Sequence, residues 1–178
     1  MKMFCFQCEQ TAGGTGCTVG GVCGKNADTA KLQDQLIGEV IGLARAIENG
    51  AATPSERTFA IIIDSLFITI TNVNYKDESI RAQIERVQAE KASLVDCTSD
   101  CLYTAYDMMH LWNDNADIRS LKSLLLFGMK GMAAYAHHAY AFGKTDKTVN
   151  AFFCKGLAAI GEEKLPMNCW RSSWNLVA

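Results

Sequence analysis

Four cysteines crowded near the N-terminus constrain this chain more than any other feature of its sequence. Cys5, Cys8, Cys17 and Cys23 are spaced C-x2-C-x8-C-x5-C, and six of the fourteen glycines lie in the same first 24 residues. A C-x2-C turn directs two thiolates into one concavity, and two further cysteines in the same loop can complete a shell of four sulfurs. Residues 1–27 are therefore predicted to form a loop that holds a metal centre, called the cysteine loop below.

The chemistry of the four cysteine side chains limits which metal or cluster the loop can bind. Ligation by thiolates alone selects zinc or an iron–sulfur cluster. Structural zinc sites usually contain two C-x2-C pairs, whereas here five residues separate the second pair. The glycines allow backbone amides to approach the sulfurs and donate hydrogen bonds that help to set the potential of a cluster. The spacing favours a [4Fe-4S] or [2Fe-2S] cluster, with zinc, disulfides or no ligand as the alternatives.

Composition excludes several functional classes. The 178 residues are 49% hydrophobic and 20% charged, which is typical of a folded protein with a real core. A net charge of −2 gives no electrostatic argument for binding nucleic acid or an anionic membrane. The two most apolar stretches, 59–73 and 121–142, contain charged residues and predict buried helices, so no membrane partner is expected. With such a core, the eight cysteines fit metal binding in the cytoplasm better than a secreted disulfide scaffold.

Helical periodicity dominates the sequence after the cysteine loop. Apolar residues recur at i, i+3 and i+4 behind candidate N-caps, and these caps are Asp28, Ser55, Asp77, Asp117 and Asp146. Glycines follow two of the predicted helices, at positions 50 and 143. The β-branched run over 61–70 could be a strand, but its length without turn residues favours a helix. The fold class is therefore predicted to be all-α.

The predicted helices divide into two groups of three. Residues 28–95 are expected to form a first helical bundle, and 96–165 a second one that includes a short helix within 97–115. In the helix predicted over 118–142, Gly128 and Gly131 belong to a face of small residues that permits close approach of another helix.

The residues around the four cysteines resemble the N-terminus of the hybrid cluster proteins, the prismane or hydroxylamine reductase family. The resemblance is carried by residues 3–12, 15–18 and 22–25, and it continues through 29–34, 69–74, 117–121 and 128–136. In that family the x8/x5 spacing accompanies a [4Fe-4S] cluster, which Cys5, Cys8, Cys17 and Cys23 would bind. The helical part resembles the family's N-terminal domain of two three-helix bundles.

The resemblance also implies an activity. Full-length members reduce hydroxylamine to ammonia and water, and reduction of nitric oxide is also attributed to the family. The cysteine-bound cluster would accept electrons from a redox donor protein and pass them to a hybrid iron–sulfur–oxygen cluster. The His, Cys and Glu ligands of that second cluster lie in domains that follow, and no residue here matches them. The chain is thus expected to be an electron-input domain that has no catalytic residues and is inactive alone.

The tail over 166–178 departs from both the family pattern and the helical periodicity. Suitable synonymous codons, read in a shifted frame, encode Asp-Glu-Leu-Leu-Ala-Leu-Val-Met-Glu-Leu-Gly-Arg-Val, an amphipathic helix like the family's continuation. Met167, Trp170 and Trp174 limit the freedom of this fit because each has a single codon. The tail is therefore interpreted as the product of a frameshift in a truncated hydroxylamine reductase, which sequencing the gene would test.

Cysteines and histidines outside the cysteine loop are predicted not to bind a metal. Cys97 and Cys101 are interpreted as ordinary semi-buried thiols, and Cys154 as a core residue. His137 and His138 point about 100° apart on a helix, so they cannot chelate one ion together.

Two further interpretations stay open at this point. Lys25 is expected to be solvated, with docking of an acidic donor as its alternative role. Two other functions remain for the whole chain: a stand-alone iron–sulfur electron-transfer module, or a structural zinc-binding helical domain.

Overall fold

The structure is a computed structural model that describes residues 3–94 and 104–162. These residues form six α-helices and contain no β-strand, which confirms the all-α prediction. The helices are α1 (Ala27–Glu48), α2 (Glu56–Ile68), α3 (Asp77–Leu94), α4 (Met108–Asn113), α5 (Ala116–Ala141) and α6 (Lys147–Gly161). A single 3-10 turn over Ala12–Gly14 lies within the cysteine loop.

The helix ends follow the predicted signals at most positions. Ser55 and Asp146 cap α2 and α6 through their side chains, and α3 begins at Asp77. Gly50 and Gly143 follow α1 and α5 with φ of 72° and 66°, the left-handed conformation that glycine adopts without strain. The β-branched run is helical as far as Ile68.

Two predicted N-caps are wrong by two residues. Asn26 caps α1 by accepting a hydrogen bond from the Thr29 amide, and Asn115 caps α5 in the same way. Asp28 and Asp117 lie instead in the first turn of each helix, where a carboxylate interacts favourably with the helix dipole. An asparagine and an aspartate two residues apart offer equivalent sequence signals, and the asparagine forms the cap in both cases.

Helix α1 is the centre of the fold. It contacts α2, α3, α4 and α6, while α5 packs against α2, α4 and α6. Their buried apolar side chains form one continuous core, which includes Leu36, Val40, Ile62, Leu126 and Leu157. Helices of the two predicted bundles therefore contact each other extensively. The division into two bundles stays a prediction, since its proposed boundary falls in the segment 95–103, outside the described residues.

Glycines allow α6 to lie close to its neighbours. A methyl group on Gly161 would come within 2.8 Å of the Ile41 side chain on α1, and one on Gly156 within 2.6 Å of the Met129 sulfur on α5. By contrast, a methyl group on Gly128 or Gly131 would meet nothing within 4 Å. In the part of the chain that the structure describes, Gly128 and Gly131 are therefore open rather than packed against a helix, whereas Ala133 on the same helix is buried in the core.

Within residues 3–94 and 104–162, no helix combines the length and apolar character needed to cross a membrane.

Lys122, near the start of α5, forms a hydrogen bond with the residue that follows α6. Its replacement by methionine is expected to destabilise the fold. Its side chain is only 2% exposed, its Nζ donates to the Glu162 carbonyl at 2.8 Å, and it lies 3.5 Å from Asp114 Oδ2. Lys122→Met should lower the free energy of unfolding by about 2 kcal/mol, because the buried ammonium's hydrogen bond to the Glu162 carbonyl and its ion pair with Asp114 are lost. Urea denaturation measures the change, and exposed Lys144→Met is the control; equal stability of the two variants would contradict the assignment.

Candidate metal centre

The cysteine loop brings two of its four thiols together through backbone pairing. Cys5 and Cys17 form an isolated antiparallel bridge, in which the Cys5 amide donates to the Cys17 carbonyl at 3.0 Å and the reverse bond measures 2.9 Å. Both of these thiols are buried, whereas Cys8 and Cys23 are partly exposed, and all four are free. The loop thus has two inner sulfurs and two sulfurs at its edge.

Glycine and backbone amides shape the space around the sulfurs. Gly16 adopts φ of 105°, and a methyl group there would come within 2.6 Å of the Phe4 ring. A methyl group on Gly21 would come within 3.0 Å of Cys23 Sγ. The Ala12 amide donates to Cys17 Sγ at 3.4 Å, a bond of the kind that stabilises a thiolate. These contacts bear out the expectation that the glycine-rich backbone approaches the sulfurs closely.

Aromatic side chains anchor the loop to the helices. Phe6 packs on Trp112 of α4 with ring centroids 5.2 Å apart. The Tyr75 hydroxyl, in the link between α2 and α3, donates to Asn72 Oδ1 at 2.7 Å and lies 3.4 Å from the Cys23 carbonyl oxygen. The position of the loop is thereby fixed from two sides.

Lys25 is buried, so both its predicted solvated role and its alternative role in docking a donor are wrong. Only 2% of the residue is exposed, and its Nζ donates to Gln7 Oε1 at 2.6 Å and to Gln33 Oε1 at 2.5 Å. The ammonium also lies 5.9 Å from the centre of the Tyr75 ring. The last turn of the loop directs this side chain inward, toward α1, which the sequence alone did not indicate.

A second buried lysine lies in the same region. Lys130 of α5 is 5% exposed, and its Nζ donates to the Thr69 carbonyl at 3.4 Å. Between the two lysines, Gln7 Nε2 donates to Asp34 Oδ1 at 2.7 Å and to the Ala30 carbonyl at 2.9 Å. A polar network therefore extends beneath the cysteine loop from α1 to α5.

This network contains more positive than negative charge. Burial, together with repulsion from Lys25, lowers the pKa of Lys130 to about 8. Burial raises the pKa of the Asp34 carboxyl to about 6, although the Gln7 hydrogen bond and both ammonium groups oppose that shift. Neither lysine forms a salt bridge with a carboxylate among the described residues. Since buried charges are normally paired, the excess positive charge indicates an anionic group above it.

The electrostatic environments of the inner and edge thiols differ. Burial raises the pKa of the Cys5 thiol, against the opposing effects of the Gln7 amide and Lys25. At Cys23, burial also acts to raise the pKa, but the Tyr75 hydroxyl and the Lys25 amide outweigh it, so the pKa is lowered. The thiolate is the form that binds metals, and Lys25 favours it at both positions.

The arrangement of the sulfurs bears on the kind of centre they could hold. Across residues 3–94 and 104–162, no group of three or more His, Cys, Asp or Glu side chains converges closely enough to hold one metal ion. A zinc ion requires each sulfur within about 2.3 Å, whereas a polynuclear cluster keeps its thiolates further apart. Four thiols on one loop above excess positive charge fit a thiolate-bound, negatively charged centre. The assignment of all four as ligands stays a prediction.

Comparison with known proteins shows which protein family this chain belongs to. A family model described as Prismane/CO dehydrogenase family matches residues 3–173, which include all four cysteines. The chain belongs to this family. Membership confirms the resemblance and implies iron–sulfur cofactors.

Three curated relatives of this prismane-family chain share one name. It is 40% identical to a hydroxylamine reductase of Acetivibrio thermocellus over 94% of its own length, and 39% identical to one of Desulfitobacterium hafniense over 93%. A hydroxylamine reductase of Bacteroides thetaiotaomicron is 38% identical over 94% of the chain. In each case the match covers 34% of the relative, so the chain spans about a third of their length.

Cys154 and His137 lie outside the cysteine loop of this prismane-family chain and have packing roles. Cys154 is 1% exposed in the core, as predicted, and burial raises the pKa of its thiol to about 12. The His137 and Phe67 rings stack with centroids 4.2 Å apart, and His137 Nδ1 lies 2.9 Å from Asp64 Oδ1, so this histidine has a packing role. Cys97, Cys101 and Cys169 lie outside the described residues.

Sequence reasoning missed the polar groups beneath the loop, namely Gln7, Gln33, Tyr75 and Lys130. For two of them, Gln33 and Lys130, the sequence contains an indication of a buried polar role. Gln33 occupies a fully buried position on α1, adjacent to the apolar stripe, and Lys130 interrupts an apolar stretch of α5. A polar residue at a core position needs a buried partner, and such a position therefore points to a polar network.

Proposed function

We propose that Cys5, Cys8, Cys17 and Cys23 bind a [4Fe-4S] cluster, and that the chain is the electron-input part of a hydroxylamine reductase. The observation that carries this proposal is the set of four free thiols on one loop above a buried excess of positive charge. Family membership supports an iron–sulfur centre, and the names of the relatives support the reaction.

Mononuclear zinc is the alternative to a cluster. Four thiolates make either centre negatively charged, so the lysines alone do not discriminate between them. The x8/x5 spacing, which accompanies [4Fe-4S] in the family that the sequence resembles, supports that cluster type.

The chain's own residues would hold and shield the centre. Cys5 and Cys17 supply the inner thiolates from a backbone bridge, and the Ala12 amide stabilises the Cys17 sulfur. Tyr75 secures the edge of the loop at Cys23. When bound, the cluster would supply one-electron transfer chemistry. Two such transfers satisfy the reaction NH2OH + 2 e⁻ + 2 H⁺ → NH3 + H2O.

We propose that a redox donor protein approaches the outer edge of the cysteine loop. Between Cys17 and Cys23 the loop exposes Val19 and Val22, which are 94% and 68% accessible to solvent. Two exposed valines beside partly exposed Cys23 provide an apolar contact at the side from which an electron could enter.

Anaerobic reconstitution with iron and sulfide tests the nature of the centre. A brown protein with a broad absorption band at about 400 nm and about four irons and four sulfides per chain is the expected result for [4Fe-4S]. About two of each would identify [2Fe-2S] instead. A colourless protein that binds one zinc ion, or one in which these cysteines form disulfides, would contradict the proposal.

We propose that the 178-residue chain accepts electrons but does not reduce hydroxylamine by itself. No residue in it matches the ligands of the second, hybrid cluster, which in the family would be the site of the reaction. The cluster-loaded chain, supplied with reduced viologen and hydroxylamine, should form no more ammonia than the cluster-free chain does. Ammonia formation that requires the cluster and saturates with hydroxylamine would overturn this expectation.

A further inference from the structure

The two buried lysines beneath the cysteine loop have no role in binding the centre directly. We propose that Lys25 and Lys130 act as fixed positive charges that raise the reduction potential of the centre held by Cys5, Cys8, Cys17 and Cys23. This inference rests on the proposed function, since it requires an iron–sulfur centre in the loop. Neither lysine touches a substrate. The positive charge of each ammonium group changes how readily the centre accepts an electron.

Lys25 is held by two neutral acceptors whose orientation is fixed. Gln7 Nε2 donates to two oxygens, Asp34 Oδ1 and the Ala30 carbonyl, so its Oε1 must face away from them and toward Lys25. Gln33 Nε2 donates to the Asn74 carbonyl at 2.9 Å, which likewise directs its Oε1 to Lys25. Amide oxygens satisfy the ammonium without cancelling its charge.

Lys130 adds a second charge from α5. Its Nζ donates to the Thr69 carbonyl, another neutral acceptor. The thiols of Cys5 and Cys8 are among the groups whose charges act on Lys130, and Lys25 acts on Cys5 and Cys23. Together the two ammonium groups therefore act on three of the four sulfurs, through a buried medium that screens charges weakly.

The sign of the effect follows from charge balance. Reduction of [4Fe-4S]2+ to [4Fe-4S]+ takes one electron from a one-electron donor, which is dithionite in the test below. The electron comes from SO2•−, the radical anion into which dithionite dissociates. It adds one negative charge to the centre, breaks no bond and requires no proton. Nearby positive charge stabilises the more negative, reduced form, so each lysine raises the potential. Asp34 opposes this effect with a single carboxylate, which leaves the lysines dominant.

Neutral replacements of the lysines test the inference. In the cluster-loaded chain, titrated with dithionite at pH 7 and followed by absorbance, Lys25→Met and Lys130→Met should each lower the equilibrium constant for reduction at least tenfold. This corresponds to a potential lower by about 59 mV for one electron. Lys144→Met removes the same charge from an exposed site after α5, and its potential should match that of the unmodified chain.

A second variant keeps the test decisive if methionine at position 25 prevents cluster assembly. Gln33→Glu retains Lys25 and places a carboxylate against its Nζ, so this variant should also lower the potential. Loaded variants with the potential of the unmodified chain, or an equal decrease in Lys144→Met, would overturn the inference and leave the proposed function intact. An unmodified chain that assembles no cluster would overturn both.

Discussion

Replacement of Cys17 by alanine is expected to abolish cluster binding. Cys17 is 4% exposed, shares the backbone bridge with Cys5 and accepts a hydrogen bond from the Ala12 amide. A three-thiolate site should retain less than about a tenth of the iron, because the missing ligand leaves one iron open to solvent. Iron and sulfide analysis after anaerobic reconstitution, together with the absorption spectrum, measures the loss.

Cys154→Ala is the matched control for this experiment. It also removes a buried thiol, but from the core around α6, and should leave the iron content unchanged. If Cys17→Ala assembled a full complement of iron, Cys17 would not be a ligand. If both variants lost iron equally, the loss would reflect general destabilisation of the fold.

Replacement of Gly38 by alanine is expected to be the most destabilising single methyl addition in the described helices. Gly38 lies in the middle of α1, and its carbonyl accepts a hydrogen bond of 2.9 Å from the Tyr106 amide. An added methyl group would overlap the Tyr106 carbonyl oxygen, a backbone atom that cannot move aside without displacing the segment before α4. The expected loss is about 3 kcal/mol of unfolding free energy, measurable by urea denaturation.

The control for Gly38→Ala is the same substitution at Gly128. That glycine is exposed within α5, and an added methyl group would meet nothing within 4 Å. Alanine there should raise the unfolding free energy by up to about 1 kcal/mol through its higher helix propensity. The two substitutions are therefore predicted to change the unfolding free energy in opposite directions. An unchanged unfolding free energy in Gly38→Ala would show that the backbone at Tyr106 moves aside at little cost.

The helices and the cysteine loop could be predicted because their signals are local. The periodic apolar residues of α1 and α5 specify a helix within a few turns, and the cysteine spacing lies within a single loop. The N-caps of α1 and α5 were misplaced, since Asn26 and Asp28 offer equivalent caps and only the geometry of the first turn decides between them.

The burial of Lys25 could not be predicted, because it depends on contacts distant in sequence. Its partners Gln7 and Gln33 come from the cysteine loop and from α1, and Lys130 reaches the same region from α5. A lysine that follows a glycine in a loop is usually solvated, and only closure of the loop onto α1 reverses that expectation. The polar site beneath the loop is thus a product of tertiary packing.

The unmatched charge beneath the loop has a consequence for the lifetime of the protein. Without the proposed centre, Lys25 and Lys130 repel each other in a buried place where, within residues 3–94 and 104–162, neither forms a salt bridge with a carboxylate. Loading relieves that repulsion, so the native state gains stability by mass action when iron is supplied. Iron scarcity would then shorten the survival of the chain under proteolysis, and turnover would remove molecules that lack a cofactor.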